Sequence, residues 1–490
     1  MSGQVQMRPM LVDDLPTALN TLLATGGRMQ MAYAWFRDGQ PQVCYLAAPG
    51  AGQAFECWSV AVPAEGLPSL APIAPLLGWY EREIQDLVGI VFRNHPEPHP
   101  LVLERGEHTP PLLPGAEGVV TTTAPHALPE VEGEDIQELD FGPVRADVLE
   151  SAQFRFFYIG ERILRYQPRL FLKHRGMERR FQGLTPEAGV VVAERVSATA
   201  SLAHALAYCQ AIEDAADCEP PPRAQAWRCL LAELERIYNH LHYFGHLADA
   251  TTLKVGQAQG RWLEEQTKQL LARVCGSRLP MNLLTPGGLR RDLLLPDDFA
   301  GQLAAIEKET RHYLDMLSDT SSYIDRLQAT GVLSQQVAFD KGATGPIERA
   351  SGLDRDLRRD HPYADYAALV PEIALREAGD ALARAEVRAD ELRQSFALVK
   401  GAVDRLGAGE VCHPCAPEPG SFGLGWAESP RGSLFYAVSL DTQAHLAWAK
   451  IKSPSYSNWR VFPFTVHDTN MMDYAINEAS FGLSVAGCDR

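Results

Sequence analysis

His174-Arg175-Gly176-Met177-Glu178 sets a carboxylate among basic groups. Such a glutamate can hold or pass a proton if a partly dry cavity raises its pKa. It can equally be the partner of a neighbouring arginine, fixing the loop and nothing more. Cys412-His413-Pro414-Cys415 has the C-x-x-C spacing used for zinc or thiol redox chemistry, but no second pair follows at zinc-finger distance. Pro414, Pro417, Pro419 and Gly420 crowd that pair into a loop, so a structural role is the simpler reading beside a metal or redox one. His242 and His246 stand one helical turn apart with His240 just before them. Position 243 is Tyr, however, where H-E-x-x-H needs a glutamate, which argues against a metal. No G-x-G-x-x-G follows a strand, so NADH is not bound by this chain.

The elements that must position these groups fall into three parts. Residues 1–105 read as a small α/β domain, with alternating strands at Met31–Phe36, Gln42–Ala47 and Phe55–Val62. In Gly78–Leu103, GWYEREIQDLVGIVFRNHPEPHPLVL, Tyr80, Ile84, Leu87 and Val88 recur at helical spacing, and Gly89 ends the helix. Glu81, Arg82, Glu83 and Asp86 fall largely on its other face, as a solvated face or a local salt-bridge set. Residues 106–139 are rich in Pro, Gly, Thr and acid (Pro110, Pro111, Pro114, Thr121–Thr123, Glu130, Glu132, Glu134, Asp135) and predict an extended linker. Residues 140–490 read as mainly helical, giving an α+β protein. One amphipathic helix follows Pro220-Pro221-Pro222, carrying Trp227, Leu230, Leu231, Leu234, Ile237, Leu241 and Phe244, and others cover about 299–328 and 366–406. A net charge of −17 excludes a nucleic-acid surface. No apolar run is long enough for a transmembrane segment, the N-terminus lacks a secretory pattern, and the scattered cysteines suit a reduced cytoplasm.

Two long motifs carry a family resemblance. Gly78–Leu103 is similar to the signature of the 30-kDa (C) subunit of complex I, which implies an inter-domain contact as a further reading of Glu81, Arg82, Glu83 and Asp86. RLFLKHRGME (Arg169–Glu178) followed by AERVSATASLAHALAY (Ala193–Tyr208) resembles the 49-kDa (D) subunit and the group 4 nickel–iron hydrogenase large subunit. So do GGLRRDL (Gly287–Leu293), GPIERASGLDRDLRRDHPY (Gly345–Tyr363) and ESPRG (Glu428–Gly432). The hydrogenase reads ERVCGICGFAH where this chain has Ser197 and Ala200 at the two cysteines, and SLDPCxSCTDR where it has Ser484 and Gly487. Nickel and iron need soft thiolates there, so the resemblance implies a fused C/D scaffold without the metal. Cys488 lies one residue out of register.

The quinone-binding motifs of complex I are altered as well. Arg145 and Leu149 stand at the two histidine positions of the first motif, and Ala198 at the tyrosine of the second. What the resemblance leaves is a small-residue cavity (Ser197, Ala198, Ala200, Ser484, Gly487), a proton-relay candidate in Glu178 with His174 and Arg175, and supporting charges at Arg195, Asp292, Arg349 and Asp489. It implies no metal or cofactor on this chain, an iron–sulfur cluster in a neighbouring small subunit like the complex I B subunit, and membrane-arm and antiporter-like partners. The protein would sit on the cytoplasmic side, attached peripherally to the inner membrane. Its role would be coupling of electron transfer to ion or proton movement. Quinone reduction in an unusual pose and a non-catalytic scaffold are the alternatives.

Overall fold

The computed structural model describes residues 5–37, 39–103, 106–108, 110–113, 121–123, 133, 135–145 and 150–490. The alternating segments near the N-terminus form a four-stranded sheet in the order Val5–Pro9, Phe55–Ala61, Gln40–Ala48, Arg28–Arg37. The first pair is parallel, which requires a crossover, and the helix Leu15–Ala24 supplies it, burying Leu15, Leu19 and Leu22. The helix Gly78–Val88 ends at Gly89 in the left-handed conformation, φ 82°, as its sequence predicts. Its charged face is not solvated: Glu81, Glu83 and Asp86 are all buried. Glu81 accepts from Ser69 Oγ and Leu70 N, and Asp86 from the N–H groups of Leu101 and Val102.

Most of the expected linker, including Pro114, Glu130, Glu132 and Glu134, lies outside the described residues, as does Leu149. Its described start is packed against the helix, with Leu112 N donating to Leu87 O at 2.8 Å. Gly106–His108 pairs antiparallel with Thr121–Thr123.

Beyond residue 140 the chain holds more strand than its sequence suggests. Gln137–Phe141, Gln153–Ile159 and Arg162–Arg169 make one antiparallel sheet; Phe422–Ser429, Gly432–Leu440 and Leu446–Lys452 make another. The second sheet is buried on both faces, so its strands lack the in–out alternation that marks a half-exposed strand. The helix Ser201–Ala215 lies flat on it. Side chains at Gly423 or Gly425 would overlap the carbonyl oxygens of Ala211 and Ala207, so only glycine permits this approach.

The helix after Pro220-Pro221-Pro222 runs Pro222–Ala250, and its polar face is also buried. Arg228 pairs with Glu213 at 2.6 Å and Arg236 with Glu233 at 3.3 Å, satisfying charges that would otherwise be costly to enclose. The expected helix over 299–328 is two helices, Phe299–Asp319 and Ser321–Leu327, meeting at Thr320. The helix expected from 366 begins only at Ala381, because Pro371 and a left-handed Gly379 (φ 66°) interrupt it and Asp380 caps its start.

The N-terminal sheet and the larger part share one hydrophobic core. Phe55 stacks on His361 at 4.1 Å and meets Phe435 edge-on at 5.4 Å. Arg28 donates to Ala343 O and Glu348 across the same boundary. Among the described residues no single helix is long and apolar enough to cross a membrane.

Candidate functional site

Two chain segments converge at the site. The first follows the helix Pro186–Ala193, passes through Ser197 in extended conformation and enters the helix Ser201–Ala215. That helix has no cap of its own; Glu235 accepts from Leu202 N and Ala203 N at 2.9 and 3.0 Å and satisfies its first turn. Burial pushes the Glu235 carboxyl up to about 7 against those hydrogen bonds. The second segment leaves the helix Tyr474–Phe481 at a left-handed Gly482, φ 62°, and restarts at Ser484, whose hydroxyl accepts from Gly487 N at 3.0 Å.

Two arginines join these segments. Arg175 donates to Arg195 O and Val196 O on the first, at 2.9 and 2.7 Å, and to Ala486 O on the second, at 3.0 Å. Arg431 donates to Thr199 Oγ1 at 3.0 Å on the first segment, to Gly482 O at 2.9 Å on the second, and to Asn239 Oδ1 at 3.1 Å. A carboxylate completes the arrangement: Glu150 accepts from Ser484 Oγ and Ala486 N, each at 3.0 Å, and from Val485 N. Ser197, Ala200, Ser484 and Gly487 therefore surround hydrogen bonds rather than an array of metal ligands. Ser197 Oγ lies 3.4 Å from Thr199 Oγ1. Cys488 is fully buried, and burial raises its thiol well above the ordinary range. Among the described residues no group of three or more His, Cys, Asp or Glu could hold a metal ion. The donor set does not fit nickel and iron, which need thiolates.

Glu178 receives the partner its sequence left open. Its Oε1 lies 3.1 Å from Arg490 Nη1 and 3.0 Å from Lys450 Nζ, and accepts from Ile451 N at 3.1 Å. The same two cations hold Glu83 of the N-terminal domain, at 2.8 and 2.7 Å. Burial would raise Glu83, but Arg490 and Lys450 outweigh it and hold the carboxyl down at about 2. The quartet is an inter-domain clasp closed from within the core. Around it, Arg175 N donates to Arg490 O at 3.0 Å, and His174 Nδ1 lies 2.8 Å from Asp489 O. Asp489 accepts from Lys173 N at 2.9 Å, and burial lifts its carboxyl to about 6.

The remaining candidates lie apart. Arg195 is largely exposed and donates to Val191 O within its own turn. Asp292 pairs with Arg223 at 2.9 Å at the surface. Arg349 is the hub of a second buried network, 2.6 Å from Glu391, 3.1 Å from Glu428 and 3.2 Å from Asp356. Ala198 is exposed, and Arg145 is spent on Glu478 at 2.9 Å. His240 pairs with Glu391 and His242 with Glu264. Cys412 and Cys415 are half-buried; Cys218 Sγ donates to the intervening Pro414 O at 3.7 Å, and burial raises both thiols. Glu150, Arg431 and Lys450 were not among the expected site residues. The ESPRG motif contained the signal for Arg431, and the segment Gly142–Glu150 (GPVRADVLE), which holds Arg145 and Leu149, that for Glu150; Lys450 had none.

Comparison with known proteins agrees with this architecture. The chain matches the family model of the respiratory-chain NADH dehydrogenase 30 Kd subunit over residues 28–115 and that of the 49 Kd subunit over 261–419. It matches the nickel-dependent hydrogenase model over 175–273. Formate hydrogenlyase subunit 5 of Escherichia coli (strain K12) is 30% identical, with 89% of this chain and 79% of the relative covered. The fused C/D subunit of NADH-quinone oxidoreductase from Cereibacter sphaeroides (strain ATCC 17029 / ATH 2.4.9) is 27% identical over 86% and 82%. A chain in the structure of the membrane-bound sulfane sulfur reductase, an archaeal respiratory membrane complex, has the same fold, with a TM-score of 0.68 at 24% identity. That match covers 73% of this chain and 99% of the other.

Proposed function

Since the chain belongs to the family that unites the fused 30- and 49-kDa subunits of respiratory NADH dehydrogenase with the hydrogenase large subunits, we propose that it is a peripheral-arm subunit of a membrane-bound, complex I-like assembly and carries no nickel–iron site of its own. The observation that carries this reading is the staple of Arg175, Arg431 and Glu150 across Ser197, Ala200, Ser484 and Gly487. The metal positions are held together by hydrogen bonds between protein groups. In such an assembly the chain takes part in coupling electron transfer in a neighbouring iron–sulfur subunit to ion or proton movement in membrane subunits. Glu178 then serves the clasp, and a proton passing it would have to compete with Arg490 and Lys450 for the carboxylate. A quinone site has less support, because Arg145 is bound to Glu478 and Ala198 offers the headgroup no donor. The test is purification of the native assembly from membranes with an inventory of its subunits. A small iron–sulfur subunit and antiporter-like subunits should co-purify with the chain; a chain recovered alone from the soluble fraction would refute the reading.

A further inference from the structure

The buried arginines divide into two kinds. Arg228, Arg236, Arg349, Arg358 and Arg490 each face a carboxylate. Arg388, which is buried, and Arg431, which is half-buried, line one pocket of about 150 Å³ beside the stapled segments and make no ion pair with a carboxylate among the described residues. Arg388 is 2% exposed and donates to main-chain carbonyls: Arg384 O and Ser480 O from Nη1, Phe481 O from Nη2. A guanidinium carries five N–H groups, so its Nε hydrogen and one on Nη2 are left over. Arg431 uses Nε and Nη1 on neutral acceptors, and its Nη2 makes no hydrogen bond among the described residues. The Arg388 guanidinium lies 4.1 Å from the centre of the Tyr243 ring, a cation–π contact, and the buried Tyr243 hydroxyl makes no well-formed hydrogen bond among the described residues. Behind them Arg384 is fully buried on Ser480, Asn477 and carbonyls, and burial pulls it down to about 9. The carboxylates that act on them are committed elsewhere: Glu391 to Arg349 and His240, Glu150 to the backbone of Val485 and Ala486, and Glu235 to Leu202 N and Ala203 N. Enclosing a cation such as Arg388 without a paired counter-charge is costly, and it occurs here in a chain whose net charge is −17.

We propose that this pocket binds a small oxyanion, a carboxylate or a sulfur or phosphorus oxyanion, between the unused N–H groups of Arg388 and Arg431 with the Tyr243 hydroxyl as a further donor. Guanidinium forks suit such acceptors because parallel N–H groups match paired oxygens. The inference rests on side-chain placement alone and stands apart from the proposed role in an assembly.

Calorimetric titration of the full chain with sodium sulfate and with sodium formate, against sodium chloride at equal ionic strength, tests it. Sulfate preference indicates a tetrahedral dianion and formate preference a planar carboxylate; both support the site. Arg431→Gln should weaken the preferred anion about tenfold, roughly 1.4 kcal/mol. His246→Glu, a change at an exposed residue that lines the pocket, should weaken it by repulsion and decides the matter if Arg431→Gln fails to fold. Sulfate and formate binding no better than chloride, or binding unchanged in every variant that folds, overturns the proposal.

Discussion

The clasp and the stapled corner both gather charged side chains, yet they resolve that charge in opposite ways. In the clasp, Glu83 and Glu178 share Arg490 and Lys450, so two anions meet two cations with no surplus. In the corner, Arg388 and Arg431 find only neutral acceptors among the described residues. A neutral buried set suits a permanent junction between domains, whereas an unbalanced set is suited to something that enters from outside. The same residue type, arginine, is structural in one place and available in the other because of what lies within hydrogen-bond reach.

The sharpest way to break the comparison is to unbalance the clasp. Glu83→Gln leaves Arg490 and Lys450 with one carboxylate in a dry interface and should cost about 3–5 kcal/mol, read as a lower midpoint in chemical denaturation. An unchanged midpoint would mean that the domains do not depend on this contact. The pH dependence follows from the same group. Its folded pKa, about 2, lies below the ordinary glutamate value of about 4.3. Its stabilisation is therefore complete above about 4.3 and is lost as pH falls toward the folded value. Glu83→Gln should flatten that acid limb of the stability profile.

A smaller effect is expected at Glu150. Glu150→Ala removes three hydrogen bonds that tie Ser484–Ala486 to the corner and should cost about 1–2 kcal/mol, as loss of a helix cap does. Hydrogen exchange should then speed up at Val485 and Ala486 before the rest of the chain. The smallest belongs to the surface: Asp292→Asn, which breaks the pair with Arg223, should shift stability by about 0.5 kcal/mol or less. A large effect there would show that the charge serves an interface with a partner.

How much of this was legible in the sequence depended on how local its cause was. The helix Gly78–Val88 and its stop at Gly89 follow from spacing and one glycine, and both hold in the structure. Whether Glu83 faced water or a partner could not be read, because Lys450 and Arg490 lie 367 and 407 residues away. The missing thiolates at Ser197, Ala200, Ser484 and Gly487 were visible from the flanking motifs. What replaced them was not, since Glu150 meets Ser484 across 334 residues. The sheet Phe422–Lys452 was missed for a different reason. Strands buried on both faces read as plain apolar runs, which periodicity cannot distinguish from core helix.

Nickel content of the purified chain bears most directly on the central claim, that the family's metal positions have become a protein-only staple. The chain is to be isolated from its native assembly, separated from any iron–sulfur subunit, and analysed by inductively coupled plasma mass spectrometry. Nickel is expected at background, with no hydrogen uptake by the intact assembly. Nickel at one equivalent per chain would contradict it.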